Sequence, residues 1–420
     1  MLPPLIVFGE DWGAHPSSTQ HLIKRLTAER PVIWVNSIGL RRPGFNRRDL
    51  RRVWQKLRAL LQHQLQHQFA TKPGANQVES APATSTTTAP NSPPQPTVIA
   101  PLAIPLPGVG WARAINRRLL RRQIRRTLQQ LQLTDCQPVL WLSLPTGVDL
   151  IGQLNERAVI YYCGDDFSAL SGVDHTAVSL LERELAEKAD LILAASPALV
   201  QRFPADKTQL LPHGVDIRLF STPQPRAADL PSGKPIAGFY GSISEWIDTE
   251  LLAQTAERLP HWNFVLIGPI QTDIASLHGK PNIFLLGPRP HHALPSYVQH
   301  WQVSMLPFRD NAQIRACNPL KLREYLAAQK PVASTDFPAL DGYRELVHVG
   351  TDADRFTLAI QQAALDAPDT QAFHNWLAQS SPDWEAVLAL TQPRHARGES
   401  VSQQSWEARA DDLNRLLDRL

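Results

Sequence analysis

The sequence predicts an α/β protein of two doubly wound domains that face each other across a cleft. Its 420 residues are enough for two domains with separate cores. Short apolar runs alternate with loops and helical patterns along most of the chain, as in parallel sheets with crossover helices. A proline-rich link at 221–231 separates two such series. We therefore expect domains at 1–222 and 223–404.

The first series forms the predicted N-terminal domain. A first strand leads through a polar loop into a helix capped by Ser17, with Gln20 in the capping-box position. Helices are also expected at about 112–131, at 174–189 and from 197. Buried strands are predicted at 5–8, 32–35, 139–142, 158–162, 191–194 and 209–212.

An insertion interrupts this domain. Residues 41–69 are basic and helical in period, whereas 71–100 are rich in Pro, Ser and Thr and poor in apolar residues. Such a stretch cannot bury enough apolar surface to offset the entropy lost on ordering. The composition therefore predicts disorder over 71–100.

The second series forms the predicted C-terminal domain. Strands are expected from 235, 263, 282, 303 and 331, with helices at 248–258, 293–299 and 319–328. A final helix at 405–420 has one apolar face and is expected to pack back on the N-terminal domain. In parallel sheets ligands bind at the carboxyl ends of the strands, which directs attention to these loops: 9–16, 163–168, 212–216, 241–247, 287–292 and 309–318.

Charge, cysteine content and hydropathy limit the compartments and partners that the sequence predicts. A net charge of +3 gives no argument for nucleic acid, and Cys136, Cys163 and Cys317 are too sparse for a disulfide framework or a zinc site. The start lacks the basic region of a signal peptide, and no uncharged apolar run approaches 18 residues. We expect a cytoplasmic protein that is still able to touch a membrane surface.

One stretch of the C-terminal domain predicts an anion site. Asn318 is a favoured N-cap and Pro319 a favoured first helical residue, so a helix begins here with free N–H groups. Arg315 and Lys321 add positive charge, and Glu324 lies on the same helical face as Lys321. A diphosphate with a ribose hydroxyl on the carboxylate fits this pattern. A capped amphipathic helix with a solvated Lys–Glu pair fits it as well.

Segments in both halves of the chain together resemble the group 1 glycosyltransferases of the GT-B fold. In appearance they are nearest to the transferases of teichuronic acid and other exopolysaccharide synthesis. The matching segments are Asp11-Trp-Gly-Ala-His-Pro-Ser, Tyr161-Tyr-Cys-Gly-Asp-Asp-Phe, Leu211-Pro-His-Gly-Val-Asp, Gly238-Phe-Tyr-Gly, Phe264-Val-Leu-Ile-Gly-Pro, Leu286-Gly-Pro-Arg, Asn318-Pro-Leu-Lys-Leu-Arg-Glu-Tyr-Leu-Ala-Ala and Ser405-Trp-Glu-Ala-Arg-Ala.

The resemblance implies two Rossmann-like domains and a nucleotide-sugar donor held by the C-terminal one. It also implies retaining transfer; we expect no cofactor and no metal. The predicted donor-binding residues are Gly241, Gly287, Arg289, Arg315, Asn318, Lys321 and Glu324. The predicted catalytic residues are Asp165, Asp166, Arg315 and Lys321, and the predicted acceptor or cleft residues are Gly13, His15 and His213.

The chain departs from the family pattern at two places. The family often has two glutamates eight positions apart, and here Ala316 stands at the first position and Glu324 at the second. The family also commonly places Arg and Lys in the loop after the first strand of the C-terminal domain, whereas 241–247 has neither. We expect Arg315 and Lys321 to supply this charge.

Two adjacent aspartates end a strand on the predicted cleft. Asp165 and Asp166 can hold an acceptor hydroxyl or stabilise an oxocarbenium-like centre, or one of them can cap the next turn. They lack the spacer of an Asp-x-Asp metal site. His213 next to Gly214 fits the interdomain crossing or a structural turn, and His15 can meet the acceptor or the donor phosphate.

Two basic helices, at 47–61 and 113–131, suit anionic lipid headgroups because arginines flank a helical apolar stripe in the first and cluster in the second. A solvated face over the core is the alternative. No base-stacking module indicates nucleic-acid binding.

These patterns favour a glycosyltransferase that acts on a glycan or lipid-linked acceptor in cell-surface polysaccharide synthesis. A GT-B epimerase is the alternative enzyme, and a phosphorylase lacks any signal for its cofactor lysine. The departure at Ala316 leaves open a non-catalytic protein that binds sugar nucleotide or serves as a scaffold. Donor hydrolysis or transfer separates these readings.

Overall fold

A computed structural model describes residues 2–14, 17–38, 94–101, 103–106, 108–169, 174–366 and 394–420. Over these residues the chain forms two parallel sheets, each wrapped by helices, and the predicted fold class is confirmed. The basic stretch at 47–61 and the predicted disorder at 71–93 lie outside the described residues. Within the described part, no helix is long and apolar enough to span a membrane.

The N-terminal sheet has seven parallel strands in the order β3-β2-β1-β4-β5-β6-β7. They are β1 (Leu5–Phe8), β2 (Val32–Val35), β3 (Thr97–Ile99), β4 (Val139–Leu142), β5 (Ala158–Cys163), β6 (Leu191–Ala194) and β7 (Thr208–Leu210). The helices of this part are α1 (Ser18–Leu26), α2 (Gly110–Gln130), α3 (His175–Lys188), α4 (Pro197–Val200) and α5 (Ile217–Ser221). The Ser17 hydroxyl caps α1 by accepting from the Gln20 N–H.

The C-terminal sheet has six parallel strands in the order β10-β9-β8-β11-β12-β13. They are β8 (Ile236–Tyr240), β9 (Asn263–Ile267), β10 (Ile283–Leu285), β11 (Val303–Leu306), β12 (Val332–Ser334) and β13 (Val347–Val349). The helices are α6 (Thr249–Arg258), α7 (Pro295–Val298), α8 (Ala312–Ala316), α9 (Leu320–Ala327), α10 (Ala353–Leu365) and α11 (Trp406–Leu417).

The predicted disordered stretch at 71–100 is wrong at its end. Thr97–Ile99 forms the edge strand β3, which pairs in parallel with β2. An edge strand takes its ladder hydrogen bonds from one neighbour and buries little, and here only Ile99 is buried. A three-residue strand behind a proline-rich run has too short a pattern to be separated from that run by composition.

The last helix returns to the N-terminal sheet. Strand residues alternate between the two sheet faces, and Leu5 and Val7 share one face. Trp406, Leu413 and Leu417 of α11 belong to the same buried cluster as these two residues. The chain crosses back beside Val215, whose N–H donates to the Gln404 carbonyl.

Candidate functional site

A cavity of about 450 Å³ lies between the two domains, and it is called the front cavity below. Loops after β4 and β5 and the start of α1 line it from the N-terminal domain. The start of α9 lines it from the C-terminal domain. The carboxyl ends of both parallel sheets therefore meet here, where such sheets bind ligands. The polar side chains of the lining include Ser18, Tyr162, Asp165, His213, Asn318 and Lys321.

His213 lines the cavity as a neutral imidazole. Its Nδ1 lies 2.7 Å from the Ser18 Oγ and 3.2 Å from the Tyr162 hydroxyl. Burial, with a smaller effect of the Arg323 charge, lowers the pKa of His213 to about 3. With Nδ1 accepting from a hydroxyl, the proton sits on Nε2, which has no hydrogen bond to a described residue. In that tautomer the ring can donate a hydrogen bond to a ligand.

The adjacent aspartates have different surroundings. Asp165 is exposed to the front cavity but enclosed by the cleft walls, which raise the pKa of its carboxyl to about 6; Lys321 opposes this and Asp166 adds to it. Asp166 accepts from the Ser168 N–H at 2.9 Å and pairs with Arg202. The structure therefore brings Asp165 to the cavity, whereas Asp166 closes a turn.

Lys321 projects from the first turn of α9 into the cavity. Its Nζ lies 5.8 Å from the centre of the Phe239 ring and has no hydrogen bond or ion pair with a described residue. Burial lowers the pKa of Lys321, which Glu324 and Asp165 partly offset. A cation held in this way is available to an anionic ligand.

Gly241 makes room for this lysine. It follows β8 with φ of +136°, and a Cβ here would lie 2.0 Å from the Lys321 Cε. The lysine stem therefore fills the space beside the loop after the first strand of the C-terminal domain. The loop itself has no basic residue, and the Lys321 ammonium lies beside it on the neighbouring helix.

The predicted capping role of Asn318 is wrong. Pro319 occupies the N-cap position of α9, and no side chain caps that end. The Asn318 Nδ2 donates to the Ala195 carbonyl of the N-terminal domain at 2.6 Å, and its Oδ1 accepts from Arg323 at 2.6 Å. The Asn318 amide thus bonds to the buried Arg323 guanidinium and to the Ala195 carbonyl instead of capping the helix. The N–H groups of Leu320 and Lys321 precede the first hydrogen bond of α9, which runs from Leu322 to the Pro319 carbonyl, and both residues lie at the cavity wall.

Glu324 does not line the front cavity. It is 3% exposed, and its two oxygens accept from the Tyr240 hydroxyl and the His291 ring, each at 2.7 Å. Burial opposes protonation of His291, but the hydrogen bond and charge of Glu324 outweigh it and raise the His291 pKa. The solvated Lys–Glu pair offered by the sequence is therefore wrong, because the carboxylate is buried among other partners.

Both predicted arginines lie away from the front cavity. Arg315 is 64% exposed and makes a two-pronged ion pair with Asp310 at 2.6 and 2.7 Å. Arg289 bonds to Asp229 and to the Tyr297 hydroxyl. Each guanidinium is thus paired with a carboxylate. The sequence patterns at 287–289 and 315–324 did not predict these pairs.

The predicted glycines occupy turns. Gly13 has φ of +79°, and its N–H donates to the Gln20 Oε1 at 3.0 Å, away from the cavity lining. Gly241, Gly268 and Gly287 end three neighbouring strands, and the Gly268 N–H donates to the Gly287 carbonyl. These glycines shape the carboxyl edge of the second sheet. His15 lies outside the described residues.

Four residues of this region were not predicted from the sequence as site residues: Ser18, Tyr162, Tyr240 and His291. Ser18 follows the predicted cap of α1, and His291 lies in the predicted ligand loop 287–292. The sequence therefore placed both residues in segments near the predicted site. It could not show their hydrogen-bond partners, which lie in distant parts of the chain. Among the described residues, no group of three or more His, Cys, Asp or Glu side chains could hold a metal ion.

Comparisons with known proteins agree with this architecture. Residues 234–366 match the family described as "Glycosyl transferases group 1". A Bacillus subtilis (strain 168) protein named as a teichuronic acid biosynthesis glycosyltransferase, TuaH, is 28% identical over 222 residues, which cover 48% of this chain. The match spans 56% of the relative, so the chain covers little more than half of that protein's length.

Solved structures share the fold at low identity. HepE from Anabaena has a TM-score of 0.62 at 13% identity, with all of both chains covered. The UDP-forming α,α-trehalose-phosphate synthase from Burkholderia xenovorans has a TM-score of 0.56 at 14% identity, covering 100% of this chain and 99% of its own. Residues 234–366 therefore match the group 1 glycosyltransferase family, and the described chain shares the two-domain GT-B fold of these structures.

Proposed function

We propose that this protein transfers a sugar from a nucleotide-sugar donor to a glycan or lipid-linked acceptor in cell-surface polysaccharide synthesis. The front cavity carries the proposal, because Lys321 and the start of α9 there face Asp165 and His213 from the other domain. The name of the TuaH relative supports the pathway. Structures of the HepE neighbour with UDP, with UDP and glucose and with UDP-glucose support the donor class.

The start of α9 holds the donor diphosphate in this proposal. Unpaired N–H groups and the helix dipole favour an anion there, and the Lys321 ammonium adds a full charge. Negative charge on the leaving nucleoside diphosphate grows as the sugar departs. A fixed cation beside it therefore stabilises the transition state more than the ground state.

Asp165 and His213 serve the sugar. The His213 Nε2–H donates to a sugar hydroxyl, and the Asp165 carboxylate stabilises the positive charge that develops at the anomeric carbon. We further propose that transfer retains the anomeric configuration and that Lys321 takes the place of a metal ion. Glu324 positions the end of β8 through Tyr240 rather than touching the ribose.

The test is a panel of UDP-, GDP-, ADP-, CDP- and TDP-sugars, with release of nucleoside diphosphate measured with and without glycan and polyprenyl-phosphate acceptors. We expect turnover with one donor, unchanged in EDTA, and a product of retained configuration by proton NMR. Loss of turnover in EDTA that magnesium or manganese restores would refute the metal-free proposal. Donor binding without any turnover would favour a non-catalytic protein.

The surroundings of Ala316 favour the second candidate, a protein without catalytic activity. It is 8% exposed, packs into the core cluster of the N-terminal domain, and its carbonyl accepts from the Ser196 hydroxyl at 2.6 Å. The position where the family often has a glutamate is therefore occupied by an interdomain contact. A sugar-nucleotide-binding protein without transfer activity is compatible with such a contact.

We also propose a cytoplasmic protein that lies on the inner face of the membrane through α2. Trp111, Ile115 and Leu119 of this helix are 58%, 39% and 37% exposed, and they recur at a spacing of four residues. Arginines surround this apolar stripe, at positions 117, 118, 122, 125 and 126. Such a surface inserts its apolar side chains between lipids while its arginines meet anionic headgroups.

A further inference from the structure

The domain interface also contains a second cavity of about 660 Å³, called the back cavity below. Cys317 and Asn318 line both cavities and separate them. The start of α4 and the segment after β12 form apolar walls of the back cavity, including Pro197, Ala198 and Ala339. The proposed transfer reaction uses none of these walls.

Arg323 lines the back cavity with a buried charge. The residue is 5% exposed, and its Nε and Nη1 donate to the Gln404 and Asn318 side-chain oxygens at 2.8 and 2.6 Å. Both acceptors are neutral amides, and its Cζ lies 5.9 Å from the centre of the Tyr343 ring. No described carboxylate lies within ion-pair distance of this guanidinium. A buried cation without a counter-ion is costly to the fold.

Arg409 brings a second guanidinium to the same cavity. Its Nε is buried and has no hydrogen-bond partner, while its Nη1 pairs with Asp412 at 3.0 Å. Burial, with an added effect of the Arg409 charge, lowers the pKa of Arg323. The two like charges therefore act on each other. Asp341, the acidic side chain of the lining, is 72% exposed and pairs with Arg344.

We propose that the back cavity is an anion-binding site, in which Arg323 and Arg409 bind one phosphate or carboxylate group of an organic ligand. An oxyanion between the two guanidinium groups supplies the missing counter-charge and accepts the unused N–H donors. The apolar walls contact the body of the ligand. This site is separate from the donor site at Lys321 and does not depend on transferase activity.

The test titrates inorganic phosphate, phenyl phosphate and benzoate by calorimetry into the Lys321→Met protein, which removes the front cation. We expect phenyl phosphate or benzoate to bind, and the phosphate arm shows whether the anion alone suffices. Arg409→Met should weaken binding about tenfold or more, the value of one charge-assisted hydrogen bond. Ala339→Trp, which fills the cavity, should abolish binding.

Two results would overturn the proposal: no binding of any probe to Lys321→Met, or binding unchanged by both Arg409→Met and Ala339→Trp. Arg323→Gln serves as a further variant where it folds, and the other two decide the matter where it does not. Circular dichroism and melting temperature establish folding for each variant. Binding of nucleoside diphosphate to otherwise wild-type protein reports on the donor site separately.

Discussion

At the scale of single residues, the proposed chemistry depends most on Lys321. We expect Lys321→Met to lower turnover by about 10²-fold, the cost of one lost charge-stabilising group, while donor affinity falls less. Methionine keeps the stem that packs beside Gly241. Steady-state kinetics check this. Lys280→Met, at an exposed ion pair with Glu257, is the matched control and should leave kinetics unchanged.

The raised pKa of Asp165 predicts that both stability and activity depend on pH. Its pKa is raised in the folded protein from 3.8 to about 6, so the folded state binds this proton more tightly than the unfolded chain. Its contribution to stability therefore declines as the pH rises from about 4 to 6. The role proposed for Asp165 requires the carboxylate form, so activity should rise across the upper part of the same window.

The pH profiles of kcat/KM and of urea unfolding test this. Asp165→Asn should lose most of the turnover. It should also be more stable than the wild type at pH 7, and this gain in unfolding free energy should be smaller at pH 4. Asp166→Asn is the control with the opposite effect, because it breaks the contact with Arg202 and should destabilise the fold at pH 7. An activity profile flat between pH 5 and 7 would contradict the assignment of Asp165.

Single residues were predictable from sequence where a local rule decides. The Ser17 cap and the cavity positions of Asp165, Lys321 and His213 follow from strand ends and helix starts. The amide of Asn318 was not predictable, because its partner Ala195 is 123 positions away in the other domain. Long-range partners of Arg289 and Glu324 escaped for the same reason.

At the scale of elements, the strand–glycine–helix arrangement around Gly241 makes a sharp prediction. Gly241→Ala should lower donor affinity several-fold, because φ of +136° disfavours a side chain and the added Cβ overlaps the Lys321 stem. Calorimetry with the nucleoside diphosphate measures this. Gly342→Ala is the matched control, since it has open space around the added Cβ and no positive φ.

Helix α2 predicts membrane binding. Wild-type protein should co-sediment with vesicles that contain anionic lipid and not with neutral ones. Ile115→Asp should reduce this several-fold, because a carboxylate enters the apolar stripe between arginines. Leu358→Asp on α10, a leucine that is 51% exposed in the other domain, is the control. Equal binding to neutral vesicles, or none to either, would contradict the proposed surface.

The long periodic elements were predictable, since α2 and α3 begin and end within two residues of the bounds expected for them. The edge strand β3 was hidden because three residues with one buried side chain give almost no pattern. Edge pairing is decided by the neighbouring strand, and that information is absent from the local sequence.

At the scale of the whole molecule, α11 follows the C-terminal sheet in the chain but packs on the N-terminal domain. Trp406 is 1% exposed and stacks on His21 with ring centres 4.7 Å apart. We expect Trp406→Ala to cost about 3–5 kcal/mol of unfolding free energy, as for other large core truncations. Urea denaturation measures it, and Trp111→Ala on the exposed stripe of α2 should change stability by less than about 0.5 kcal/mol.

The central claim is that the cleft between the domains binds a nucleoside diphosphate on Lys321 and the start of α9. Calorimetric titration of wild type and Lys321→Met with UDP, GDP, ADP, CDP and TDP tests it most directly. We expect at least one of them to bind the wild type, and the Lys321→Met variant, shown to be folded, to bind it more weakly. Wild-type affinity in Lys321→Met, or no binding of any of the five, would contradict it.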